Sequence, residues 1–136
     1  DDFTEADWAK LKERIDFMRP PFIRIMISAG WNYLDDGSIY NPAKTNKAFH
    51  RMMQYCTDNN ITVMFGEWGH VFLNGDKNQI DYKWMDYTVD YLDYLIKDKG
   101  YTCIKYYNMI NEPNGDWSTT KGDYNLWKTV TSECFW

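Results

Sequence analysis

The stretch YYNMINEPNGDW, Tyr106 to Trp117, is an apolar run that stops abruptly at Asn111, Glu112 and Pro113. A short apolar run bounded by turn residues predicts a buried strand, here over Thr102 to Ile110. Two earlier runs have the same form. Phe22-Ile-Arg-Ile-Met-Ile-Ser28 is rich in β-branched residues, ends beside Gly30 and Trp31, and predicts a strand buried on both faces. Ile61-Thr-Val-Met-Phe65 closes at Gly66 and leads through Glu67, Trp68 and His70 into a loop containing Asn74-Gly-Asp76.

Helical patterns separate these runs. Thr4-Glu-Ala-Asp7 has the shape of a capping box, and Trp8, Leu11, Ile15 and Met18 then recur at helical spacing up to Pro20. After a polar loop with Asp35 and Asp36 as turn residues, Pro42 to Asn59 predicts a second helix with Phe49, Met52, Met53 and Cys56 on one side. A third, Asp81 to Lys97, carries an inner stripe of Met85, Val89, Leu92 and Ile96 and a solvated face of Asp86, Asp90 and Asp93. Asp123 caps a last helix bearing Trp127, Val130 and Cys134. This alternation of strand and helix predicts parallel pairing in one α/β domain over residues 1–136. It leaves a doubly wound sheet and a barrel both open. In either, ligands meet the carboxyl ends of the strands, where Trp31, Glu67 and Glu112 fall.

A formal net charge of -5 without any basic run argues against nucleic acid or an anionic membrane as partner, and favours a neutral ligand. No apolar stretch approaches the roughly 20 residues of a membrane helix, and the amino terminus shows no signal-peptide pattern. Cys56, Cys103 and Cys134 are widely spaced and odd in number, which predicts buried free thiols rather than a disulfide framework or a zinc site. Asn60-Ile-Thr62 matches a glycosylation sequon too short to carry weight.

Several residues have the chemistry of a site. Desolvation at a buried strand end favours the protonated carboxyl that a general acid needs, which nominates Glu112. Pro113 is expected to hold Glu112 extended, and the Asn111 amide can donate to a ligand hydroxyl. The same three residues also suit a plain turn. Arg24, among isoleucines, needs a carboxylate or several acceptors beside it. Trp31, Trp68 and Trp117 each follow a strand end, where an indole face can stack on the C–H face of a sugar or simply pack. Tyr106 and Tyr107 must point to opposite faces, in an order the pattern does not give. Glu67 could be a second carboxylate, a substrate contact or a partner for Arg24. Asn111, Asn114 and Asp116 around Gly115 outline a calcium loop only faintly, lacking the later bidentate Glu, so no metal is expected.

A strand ending in Asn111-Glu112-Pro113, preceded by an apolar strand with an internal Arg24 and with Trp31 just beyond it, resembles the retaining glycoside hydrolases of clan A. Family 5, the cellulases and mannanases, is the nearest. The resemblance implies a (β/α)8 barrel, of which 136 residues would supply an amino-terminal portion, about strands two to four with their helices, since a whole barrel needs about 250. It further implies a cofactor-free glycosidase cleaving O-glycosidic bonds of a β-linked glycan by double displacement, in a secreted or extracytoplasmic setting of polysaccharide degradation. Glu112 would be the acid/base and Asn111 would bind substrate at the cleavage subsite. Arg24 would support the carboxylates, while Glu67, Trp31, Trp68 and Trp117 would contact the glycan. The nucleophile would lie on the seventh strand, outside this chain, leaving these residues inactive alone and in need of the remainder of the barrel. Gly66-Glu-Trp-Gly69 departs from the family, whose members usually carry a His at that strand end. The competing class is a non-catalytic carbohydrate-binding or assembly domain with a partial-barrel fold. A doubly wound phosphate-binding domain would need a Gly-rich loop after a strand, and none follows any of the three runs.

Overall fold

Thr4 opens the first helix, α1 (Glu5–Met18), through the capping box that its spacing from Asp7 predicts. The Asp7 N–H donates to Thr4 Oγ1 (3.2 Å) and the Thr4 N–H to Asp7 Oδ2 (3.0 Å), satisfying donors that a helix start leaves without partners. The computed structural model describes residues 3–36, 38–44, 46–68 and 80–133. His70, the Asn74-Gly-Asp76 loop and Cys134 lie outside them. Trp8, Leu11 and Ile15 join the core, whereas Met18 is exposed, so the apolar stripe of α1 stops one turn early.

Three strands, β1 (Phe22–Ile27), β4 (Thr62–Glu67) and β5 (Ile104–Asn108), form a parallel sheet in the order β1-β4-β5. With helices between them the chain is α/β, as its alternation predicts. One sheet face, with Ile23, Ile25, Ile27, Val63, Phe65, Ile104 and Tyr107, packs into the main core. α1, α3 (Lys47–Asp58) and α4 (Tyr82–Asp93) supply Ile15, Phe49, Met53, Cys56 and Tyr91 to that core, and the turn after α4 adds Leu95. Burying a side chain such as Phe65 contributes about 1.5–3 kcal/mol. The other face carries Phe22, Arg24 and Tyr106, all exposed, beside half-buried Met26 and Met64. β1 is therefore buried on one face, not both, and its Arg24 is solvated.

A bulge separates the Val63–Ile104 pair from the Met64–Tyr106 pair and leaves Lys105 as an extra residue in β5. It answers which tyrosine faces which way: Tyr106 is on the open face, and Tyr107 packs into the core. Gly66 suits the closeness of β4 to β5 beyond this point, since a Cβ there would lie 2.5 Å from the Asn108 carbonyl oxygen.

Three expectations shift. The segment after β1 forms a short helix, α2 (Ala29–Asn32), and a two-stranded hairpin, β2 (Leu34–Asp35) with β3 (Ile39–Tyr40), with Asp36 in its turn at φ 45°. α3 then begins at Lys47 rather than Pro42. Asn41 and Lys44 are already committed: the Asn41 amide donates to Asp35 Oδ2 (2.6 Å), and Lys44 Nζ donates to the Gly30 and Leu34 carbonyls (both 2.7 Å). Asn46 caps the helix instead, accepting from the Phe49 N–H (3.1 Å). α4 ends in a π-helical turn over Tyr94–Asp98, and its buried stripe is Met85, Thr88, Tyr91 and Leu95, with Val89 and Ile96 exposed. The stripe is rotated because Tyr33 stacks on Tyr91 (ring centroids 4.5 Å apart) and reaches Thr88; aromatic stacking outweighs the simple apolar count. Cys56 and Cys103 are buried free thiols, as expected. Asp123 caps α5 (Tyr124–Glu133) by accepting from the Leu126 N–H (3.0 Å).

Candidate functional site

Parallel strands put their carboxyl ends along one edge, and the residues nominated from the sequence collect there. Trp31 lies in α2 just after β1, Trp68 directly follows β4, and Asn111, Glu112 and Trp117 occupy the loop after β5. The three indoles are 74%, 62% and 76% exposed. Rings left this open contribute little to packing, and their apolar area remains available for a ligand.

The loop after β5 is held by its own side chains. Ser118 Oγ (3.0 Å), Thr120 Oγ1 (2.8 Å) and the Gly122 N–H (2.9 Å) all donate to the Pro113 carbonyl. Ser118 and Thr120 are buried, although the sequence reading gave them no role. The signal was available in the Trp117-Ser-Thr-Thr120 run, whose short hydroxyl side chains readily bond nearby backbone. Within this frame Glu112 adopts φ 48°, and its carbonyl accepts from the Gly115 N–H (3.0 Å). Glu112 is thus left-handed rather than extended. A non-glycine residue there carries strain of order 1–3 kcal/mol, sustained only where the surroundings over-determine it; the bonds converging on Pro113 do so.

Trp117 Nε1 donates to Glu112 Oε2 (3.0 Å). Its ring lies against Gly115, where a Cβ would come within 2.4 Å of ring atom Cε2, so the glycine makes room for the indole. Glu112 itself is exposed, not buried at a strand end as expected. The cause is geometric: β5 ends at Asn108, four residues before Glu112, so the carboxylate belongs to a surface loop.

Arg24 reaches over the open face from β1, and its Nη2 donates to Asn111 Oδ1. Its acceptor is an amide rather than a carboxylate, and one suffices because water solvates the rest of this exposed guanidinium. The expected pairing with Glu67 does not occur. In the β1–β4 register Arg24 aligns with Met64, and Glu67, three residues further on, points to the other face. There Glu67 is only 1% exposed and accepts a hydrogen bond from the Tyr33 hydroxyl, which also lies 3.3 Å from Thr88 Oγ1. Burial, the nearby Glu67 charge and that bond all hold the Tyr33 phenol well above its ordinary range. This placement gives Glu67 a structural part, tying the segment after β1 to β4 and α4. Tyr33 and Thr88 went unnominated; nothing in their spacing marks them.

The edge therefore offers an exposed carboxylate beside an indole N–H donor, an amide fixed by an arginine, and three open aromatic faces. Such a set can hydrogen-bond hydroxyls and stack on flat apolar surfaces, and Glu112 can exchange a proton with a bound molecule. Among the described residues, no group of three or more His, Cys, Asp or Glu side chains could hold a metal ion. Compared with family models, curated proteins and solved structures, the chain shows no match.

Proposed function

We propose that the chain is an amino-terminal portion of a glycosidase (β/α)8 barrel, its β1, β4 and β5 standing as strands two, three and four. The observation that carries this is the Arg24–Asn111 hydrogen bond, which spans the open sheet face and fixes the amide next to Glu112. A face flanked by two edge strands, β1 and β5, with Arg24 and aromatic rings along it, is what the interior of a larger barrel would use. The substrate is a β-linked oligo- or polysaccharide, for which Trp31, Trp68 and Trp117 supply stacking faces.

In this mechanism Glu112 protonates the departing glycosidic oxygen as a nucleophilic carboxylate on a later strand bonds to the anomeric carbon. Glu112 then takes a proton from water as water displaces that carboxylate. Asn111 hydrogen-bonds the sugar at the cleavage subsite while Arg24 holds its amide. Trp117, by donating to Glu112, sets the direction of the carboxylate.

The test is Glu112→Gln in the full-length protein. Glycosides with poor leaving groups should slow by roughly 100-fold or more, within the range of acid/base catalysis. Activated aryl glycosides should still form the covalent intermediate, and azide, which needs no deprotonation, should restore their turnover. Equal losses on both substrate types with no azide effect would remove Glu112 from the acid/base role. The exposure of Glu112 favours a second function, a non-catalytic carbohydrate-binding domain, in which Glu112→Gln would alter binding and there would be no hydrolysis to lose.

A further inference from the structure

Beside the strand-end loop lies a groove of about 220 Å³ between Pro113 and Asn114 on one side and Gly122, Asp123, Tyr124 and Trp127 on the other. We infer that this groove binds one pyranose ring of a neutral glycan, as a subsite separate from the faces of Trp31, Trp68 and Trp117. The inference rests on the glycan-directed function proposed above and adds a place that function did not assign.

Four observations support it. The groove is smaller than the roughly 300–1,000 Å³ typical of drug-sized ligands, which restricts it to a single ring. Its aromatic wall is a tilted pair, Tyr124 and Trp127, with centroids 5.6 Å apart and planes at 36°, and Tyr124 is exposed. Such an almost wholly apolar wall suits the C–H face of a sugar ring. The two sides are pinned together, because the Gly122 N–H donates to the Pro113 carbonyl (2.9 Å). The groove is thus formed before any ligand arrives, which lowers the ordering cost of binding. The charge around it is mainly acidic, with Asp123 in the wall and Glu112 and Asp116 in the same loop against Lys121, so phosphates and acidic peptides are repelled.

The experiment uses full-length protein carrying Glu112→Gln, so that binding is measured without turnover, and β-1,4-linked glucose and mannose tetrasaccharides as probes. Affinity is read by calorimetry, and contact with the rings by saturation-transfer NMR. Tyr124→Ala should weaken the better-bound tetrasaccharide by roughly 3- to 10-fold, the loss expected for one aromatic contact, with circular dichroism unchanged. Tyr124→Phe, which keeps the ring, should restore the affinity. An unchanged affinity in Tyr124→Ala, with Trp117→Ala still weakening binding, would overturn the groove and leave the glycan reading standing. Binding of neither tetrasaccharide, or binding of a simple apolar aromatic such as indole in their place, would overturn the groove as a sugar site. The glycosidase proposal stands or falls separately, on hydrolysis by the protein with Glu112 intact.

Discussion

The two faces of the sheet are made from alternate residues of the same three strands, and they differ in almost everything else. Towards the helices, Ile25, Val63 and Phe65 meet an apolar layer, and the polar group at the strand end, Glu67, is closed off by Tyr33. On the other side Arg24 and Tyr106 stand in water, and Arg24 finds an amide in a loop. One set of backbone positions thus serves two purposes. The covered side holds the chain together, and the open side leaves its side chains free to meet something else.

That contrast can be broken most directly by truncation. Phe65→Ala on the covered face should cost about 3–5 kcal/mol through lost burial and the cavity left behind. Tyr106→Ala, at a residue 57% exposed, should stay within about 1 kcal/mol. Urea denaturation of both variants reads the difference. A Tyr106 loss as large as that of Phe65 would mean that the open face is covered in solution, by further chain or by another molecule.

The polar pairs sharpen the comparison at smaller scale. Tyr33→Phe deletes a buried hydrogen bond to a carboxylate and should cost about 1.5–3 kcal/mol. Arg24→Ala, on the exposed side, should cost about 1 kcal/mol or less. A double-mutant cycle of Tyr33→Phe with Glu67→Gln should give a coupling above about 0.5 kcal/mol; additivity there would show that the pair is not a unit.

The smallest effect concerns pH. His50 on α3 is partly buried, and that burial, with Lys99 nearby, holds its pKa below the ordinary 6.5. Its Nδ1 lies 2.8 Å from the Tyr101 hydroxyl. The unfolded chain therefore takes up the proton more readily than the folded one. Stability should fall as pH drops from 6.5 through the lowered folded pKa, and be fully retained above 6.5. His50→Gln should flatten that part of the profile in denaturation midpoints taken across the window. Arginine side chains do not titrate in this window, so Arg24→Ala should leave the slope alone.

Much of this layout could be read from the residues in order. The capping box at Thr4, three β-branched runs and the helical spacings between them specify the elements, because local geometry and apolar period are properties of short stretches. What escaped depends on distant partners. Arg24 looks buried among isoleucines until it is known that one side of β1 is open. The inward stripe of α4 turns on Tyr33, more than fifty residues earlier, and nothing near Glu67 in sequence marks Tyr33 as its partner. At Glu112 the strand-end motif was visible, but the departure from extended backbone was not, since it follows from the hydroxyls of Ser118 and Thr120 further along.

The extra residue in β5 sets a counting rule for this protein. Ile104 is matched by Val63 and Tyr106 by Met64, the very next residue of β4, so Lys105 is the one added position that falls outside the pairing. Removing Lys105 alone would leave a regular strand in which Tyr106 still meets Met64 on the open face and Tyr107 still packs inside. A single deleted codon is thus absorbed at Lys105, whereas a single added one between Tyr106 and Tyr107 would turn the side chains after it to the opposite face.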